Sequence, residues 1–200
     1  KGITANTHVG ILFDRSFDMV ISMLGTLKLG CAYVPLDPSL PVNRISHIIE
    51  DSGITHVVYK ESSLVSIIPD SLAIESLNID DSKGYEVLEK DFERTLASVS
   101  YVMYTSGTTG VPKGISINDE NIITLINNPS SAIAINSSDR VLQWSNYAFD
   151  GCTYEIFGSL LNGATLCLIP TSVASDAGAL SEVINEEKLS VVFITTALFN

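Results

Sequence analysis

One rhythm narrows the fold of this chain more than any other feature: short apolar runs alternate with stretches of helical periodicity along almost its whole length. "HVGILF" (8–13) has the β-branched and apolar content of a buried strand. "SFDMVISMLGTLKLG" (16–30) follows, with Phe17, Val20, Ile21, Leu24 and Leu27 spaced to form one apolar helix face, and Gly30 as a stop. "CAYVPLD" (31–37) is extended, "PVNRISHIIEDSG" (41–53) is a helix with proline in its first turn and Gly53 at its end, and "THVVY" (55–59) is a strand. After an interruption, "SYVMYTS" (100–106) and "GISI" (114–117) are strands and "ENIITLINN" (120–128) a helix ended by Pro129. "DRVLQWS" (139–145), "TYEIFGSLLNG" (153–163), "ATLCLI" (164–169), "ALSEVINEEK" (179–188) and "LSVVFIT" (189–195) continue the alternation. Repeated βα units of this length require long crossover connections. The expected fold is therefore α/β, with largely parallel sheets covered by helices.

The interruption, residues 60–98, holds eight acids against Lys83 and Lys90 between Asp70 and Glu93. It is expected to be a solvated excursion with a short strand near 72–77. Net charge is −12, and acids outnumber bases in both halves of the chain. With no basic patch to neutralise phosphates, bulk charge excludes nucleic acid and anionic membranes as partners. No apolar run reaches membrane-spanning length. Cys31, Cys152 and Cys167 are odd in number and widely spaced, which fits buried thiols in a reducing, cytoplasmic compartment better than a disulfide framework. His8, His47 and His56 lack metal-ligand spacing, so no metal site is expected.

The chemistry gathers in "YVMYTSGTTGVPKGISI" (101–117). Gly107, Gly110 and Gly114 permit close backbone approach to an anion, and Thr105, Ser106, Thr108 and Thr109 add hydroxyl donors. Lys113 is the single basic residue between Arg94 and Arg140. A donor-rich, glycine-punctuated loop after a strand, beside one cation, suits a phosphate. The spacing is neither G-x-x-x-x-G-K-[ST] nor G-x-G-x-x-G, so it is not one of the two common nucleotide loops.

"YTSGTTGVPKG" resembles the phosphate-binding signature of the adenylate-forming (AMP-binding) superfamily. "LKLGCAYVPLDPSLPVNRISHIIEDSG" (27–53) and "YAFDGCTYEIFGSLLNGATLCLI" (147–169) are similar to further core motifs of one branch, the adenylation domains of nonribosomal peptide synthetases. The resemblance implies that residues 1–200 are the N-terminal portion of one adenylation domain. The C-terminal subdomain, with its hinge and lysine, would then be absent, and the isolated chain inactive.

It further implies a reaction: attack of an amino-acid carboxylate on the α-phosphorus of Mg2+-bound ATP. The products are an aminoacyl-adenylate and pyrophosphate, and the acyl group would next load a phosphopantetheine thiol on a partner carrier domain. Carried over, Thr105, Ser106, Gly107, Thr108, Thr109, Gly110 and Lys113 form the phosphate cradle. Asp150 would pair with the substrate α-ammonium, and Gly151, Tyr154 and Phe193 would line the side-chain pocket. No catalytic residue beyond the loop is implied. Glu155 is assigned to helix structure.

One departure stands out: where the family usually has a histidine after the loop, this chain has Asp119. An acyl- or aryl-coenzyme A ligase, or a non-catalytic nucleotide- or partner-binding fragment, are the alternatives. Asp150 and "AYVPLDP" speak against the ligase.

Overall fold

A computed structural model describes residues 3–84, 92–106, 111–128, 134–174 and 176–194 of the chain. It divides into two units, residues 1–121 and 122–200.

The first unit is built on a six-stranded sheet. Its strands are β1 (His8–Leu12), β2 (Ala32–Pro35), β3 (His56–Tyr59), β4 (Glu75–Asn78), β5 (Val99–Ser106) and β6 (Pro112–Asn118), in the spatial order β4-β3-β1-β2-β5-β6. Every pairing is parallel except β5 with β6, which run antiparallel. Helices α1 (Phe17–Lys28) and α2 (Val42–Ser52) supply the crossovers from β1 to β2 and from β2 to β3. Ser16 caps α1 by accepting from the Met19 N–H, and Gly53 ends α2 at φ 67°, a left-handed conformation that costs glycine little. Leu12, Val34, Leu36, Ile45, Ile48, Ile49, Val57 and Val102 form the core between α2 and the sheet. Burying a side chain of this size contributes roughly 1.5–3 kcal/mol.

Two expectations for this unit need correction. The helix at 17–28 forms, but its predicted apolar face is only partly buried: Val20 is in the core, whereas Phe17 is 69% exposed and Ile21 58%. Met19, Ser22, Met23 and Thr26 are buried together with Val20, a stripe rotated from the predicted one but sharing Val20 with it. Two methionines fill the space, and the Thr26 hydroxyl is satisfied by donating to the Ser22 carbonyl at 2.8 Å, whereas the buried Ser22 hydroxyl has no hydrogen-bond partner among the described residues. In the excursion the strand lies at Glu75–Asn78, slightly later than predicted. It follows a short helix α3 (Ser62–Val65) and precedes a 3-10 turn at Ile79–Gly84.

Helix α4 (Asp119–Ile126) runs across the division between the units. The second unit contains β7 (Arg140–Gln143) and β8 (Thr165–Leu168), a parallel pair connected through α5 (Gly151–Leu161). The short α6 (Thr171–Ala174) and α7 (Ala177–Glu186) follow, the latter capped by the Asp176 side chain on the Ala179 N–H. The run 189–195 was expected to be a full strand. Among the described residues it contributes a single parallel bridge, Val141 to Val191, with the Leu142 N–H donating to the Val191 carbonyl at 2.9 Å. No helix among the described residues is long and apolar enough to cross a membrane.

Candidate functional site

The residues singled out from the sequence fall into two groups, one in each unit. In the first, β5 and β6 pair with Tyr104 opposite Gly114, Thr105 opposite Lys113 and Ser106 opposite Pro112. Opposed residues of an antiparallel pair share a face, so Thr105 and Lys113 lie together on one side and Tyr104 and Gly114 on the other. Thr105 and Lys113 are both exposed. Gly107, Thr108, Thr109 and Gly110 lie outside the described residues.

The other side of this hairpin rests on α2. The Tyr104 hydroxyl donates to Asp51 Oδ2 at 2.7 Å, and the His47 ring meets the Tyr104 ring edge-on with centroids 6.4 Å apart. His47 Nε2 lies 3.1 Å from the Pro112 carbonyl; that oxygen can only accept, so Nε2 carries the proton. Burial first, and then the Asp51 carboxylate, push the Tyr104 phenol well above its ordinary range, which keeps it a donor.

Gly114 makes room for this arrangement, since a Cβ there would stand 3.0 Å from Tyr104 Cζ and 3.1 Å from both Tyr104 Oη and Val102 Cγ1. Gly114→Ala is therefore expected to cost about 1–3 kcal/mol through displacement of the ring. Denaturant unfolding would check this, and a cost within experimental error would mean that the ring moves freely.

Asp119 has a definite structural role. Its carboxylate accepts from Arg94 Nε at 2.9 Å and Arg94 Nη2 at 2.6 Å, and also from the Ser100 hydroxyl. The same guanidinium donates to the carbonyls of Leu27, Cys31 and Val99. One ion pair thus ties the end of α1, the start of β2 and the start of β5 to the first turn of α4.

In the second unit Asp150 precedes the first residue of α5. It is exposed and helical in conformation, and its side chain makes no capping hydrogen bond. An exposed carboxylate needs no neighbouring cation to offset burial, and a residue just before a helix would ordinarily be expected to cap it, which Asp150 does not do. Gly151 is followed by the turn on which Tyr154 sits. A Cβ at 151 would meet Ser145 Oγ at 2.9 Å, so this glycine admits the close approach of Ser145. Tyr154 and Phe193, far apart in sequence, are brought together edge-to-face at 5.2 Å and pack against Ile135, Val141, Ala164 and Val191.

Glu155 is the residue that sequence reasoning undervalued. It is fully buried, and its carboxylate reaches beyond α5 to the segment after β7. It accepts from the N–H groups of Trp144 (3.1 Å) and Ser145 (3.0 Å), from the Ser145 hydroxyl (2.7 Å) and from Gln143 Nε2 (3.2 Å). Burial raises its pKa against the pull of these donors. The signal was present: Cys152, Glu155, Ile156 and Ser159 share the helix's buried stripe, and an acid there needs a donor set. The three cysteines are free thiols, Cys31 and Cys152 buried. Among the described residues no cluster of three or more metal-ligating side chains forms.

Thr105 and Lys113 thus face one another across the antiparallel β5–β6 pair at one edge of a mostly parallel α/β sheet. The chain belongs to the AMP-binding enzyme family, whose model matches residues 1–200. It is 39% identical over 202 residues to bacitracin synthase 1 of Bacillus licheniformis, an alignment covering 100% of this chain and 4% of the synthase. It therefore spans a small fraction of that relative's length. Its fold matches the Klebsiella oxytoca NpsA N-terminal subdomain in complex with 3-hydroxyanthranilyl-AMSN, with a TM-score of 0.87 at 25% identity, covering 98% of this chain and 49% of that one. It also matches holo-AB3403, a four-domain nonribosomal peptide synthetase bound to AMP and glycine, with a TM-score of 0.84 at 28% identity, covering 99% and 14%.

Proposed function

We propose that this chain is the N-terminal portion of an adenylation domain that activates an amino acid with ATP in a larger synthetase. Thr105 and Lys113, with Ser106, Gly107, Thr108, Thr109 and Gly110, would hold the β- and γ-phosphates, and Mg2+ would enter with the nucleotide, held mainly by phosphate oxygens. The work required of such residues is positioning and compensation of charge as pyrophosphate leaves. The aminoacyl group would then pass to a phosphopantetheine thiol on a carrier domain.

The observation that carries an amino-acid substrate is Asp150: an exposed carboxylate at the start of α5 that does not cap its own helix. The two structural relatives were solved with an aryl compound in one case and glycine with AMP in the other. The fold is therefore common to both substrate classes, and a carboxylate suited to an α-ammonium favours the amino acid. Gly151, Tyr154 and Phe193 would shape the side-chain pocket, with Tyr154 and Phe193 as its aromatic wall.

The test is ATP–pyrophosphate exchange with twenty amino acids, measured on this chain and on the protein extended to the end of the domain. Exchange with one amino acid by the extended protein is expected. Asp150→Ala should lower it by about 100-fold, the loss of a charge-assisted contact to a fixed ammonium. Exchange only with fatty or aryl acids would transfer the protein to the coenzyme A ligases. No exchange with any acid would leave a non-catalytic binding fragment.

A further inference from the structure

Neither His47 nor Asp51 belongs to a phosphate-binding motif, yet both touch the hairpin that carries Thr105 and Lys113. They stand four residues apart on α2, on one face of that helix. Asp51 holds the phenol of Tyr104, the residue immediately before Thr105. His47 holds the carbonyl of Pro112, the residue immediately before Lys113. The two contacts therefore fall on opposite strands, one beside each of the directly opposed pair Thr105 and Lys113. Tyr104 and Gly114 lie on the α2 side, while Thr105 and Lys113 lie on the other side and are exposed there.

We propose that His47 and Asp51 are positioning residues for Thr105 and Lys113, seating the hairpin from behind so that its opposite face is preset for a nucleotide's phosphates. This inference rests on the phosphate-binding reading given above. Neither side chain would touch the nucleotide; each acts through the strand it holds. The His47 ring also closes against Tyr104, so the two contacts support each other, and Gly114 is what lets Tyr104 lie flat enough to reach Asp51.

Two measurements test it. The first needs no nucleotide: limited trypsinolysis of this chain, following cleavage after Lys113 against cleavage after the exposed Lys188. Cleavage in a paired strand requires local opening. Loss of one hydrogen bond at that strand should therefore speed it by about 5-fold. His47→Phe, which keeps the ring and loses the bond, and Asp51→Ala are expected to do so, with cleavage after Lys188 unchanged. Asp51→Asn should restore the original rate, because an amide oxygen still accepts from Tyr104. Should Asp51→Ala fail to fold, Tyr104→Phe removes the same bond from the other side. Unchanged cleavage after Lys113 in His47→Phe and in either Asp51→Ala or Tyr104→Phe would overturn the proposal outright.

The second uses pyrophosphate exchange by the domain-length protein. His47→Phe and Asp51→Ala should raise KM for ATP about 5-fold and leave KM for the amino acid unchanged. In a Lys113→Ala background the His47→Phe effect should shrink towards nothing, since the residue through which it acts is gone. Faster cleavage with no change in KM for ATP, while Lys113→Ala raises it, would reduce the contacts to a purely structural role. A Lys113→Ala protein with unaltered KM for ATP would instead overturn the phosphate-binding reading itself.

Discussion

Asp119→Ala is expected to lower stability by about 3 kcal/mol, read as a shift of the urea midpoint at constant m-value. The cause lies in what the substitution leaves behind. Arg94 would keep its guanidinium among the carbonyls of Leu27, Cys31 and Val99, largely screened from water, with no anion beside it. Asp119→His, which inserts the residue usual in the family, should not rescue the loss, because an imidazole brings no negative charge and offers one acceptor where the carboxylate offered two oxygens. A double replacement by apolar residues of similar volume, Arg94→Met with Asp119→Leu, should recover most of it, since the pair's net contribution is small compared with the cost of orphaning one partner. A single-variant cost below about 1 kcal/mol would show that Arg94 finds water or another acceptor.

Glu155→Ala should be comparably damaging, by about 3 kcal/mol, because the N–H groups of Trp144 and Ser145, the Ser145 hydroxyl and the Gln143 amide all lose the buried carboxylate that accepts from them. This residue also sets a pH dependence of definite sign. Burial raises its pKa in the folded protein above the unfolded value. Between those two values the folded state binds the proton more tightly, so this group's contribution to stability is greatest below the window and falls as pH rises through it. Glu155→Gln should remove that fall from the stability–pH curve while remaining destabilised, because the amide presents a donor where two acceptor oxygens are needed. Unfolding measured at several pH values would check both, and a curve identical to the parent's would mean that the donors fully offset burial.

The order of elements was legible in the sequence because it depends on local pattern. β-branched runs, proline in a first turn and glycine at helix ends each act within a few residues, and nearly every strand and helix lies close to where these place it. What failed depended on partners distant in the chain. The periodicity of α1 fits two faces. The choice between Phe17-Ile21-Leu24 and Met19-Ser22-Met23-Thr26 is made by packing against the sheet, which no window of α1 contains. The final strand fell short for a similar reason: pairing is a property of two segments, and Val191 alone bridges to Val141.

Site residues divide in the same way. The loop with Thr105 and Lys113 is legible because its composition has little other use. Glu155, Arg94, His47 and Asp51 are ordinary polar residues until their contacts are known, and their partners lie 5 to 67 positions away.

The hairpin of β5 and β6 has one more consequence, since β6 is the last strand of its sheet in the described residues. A border strand offers unsatisfied backbone groups to any neighbouring chain, and proline and lysine are the residues that discourage such docking. Pro112 removes one N–H from that border, and Lys113, directly after it, adds a charge that resists a stacked copy. The lysine assigned to a nucleotide thus doubles as a guard against self-association, and variants that neutralise it should be scored for aggregation as well as for catalysis.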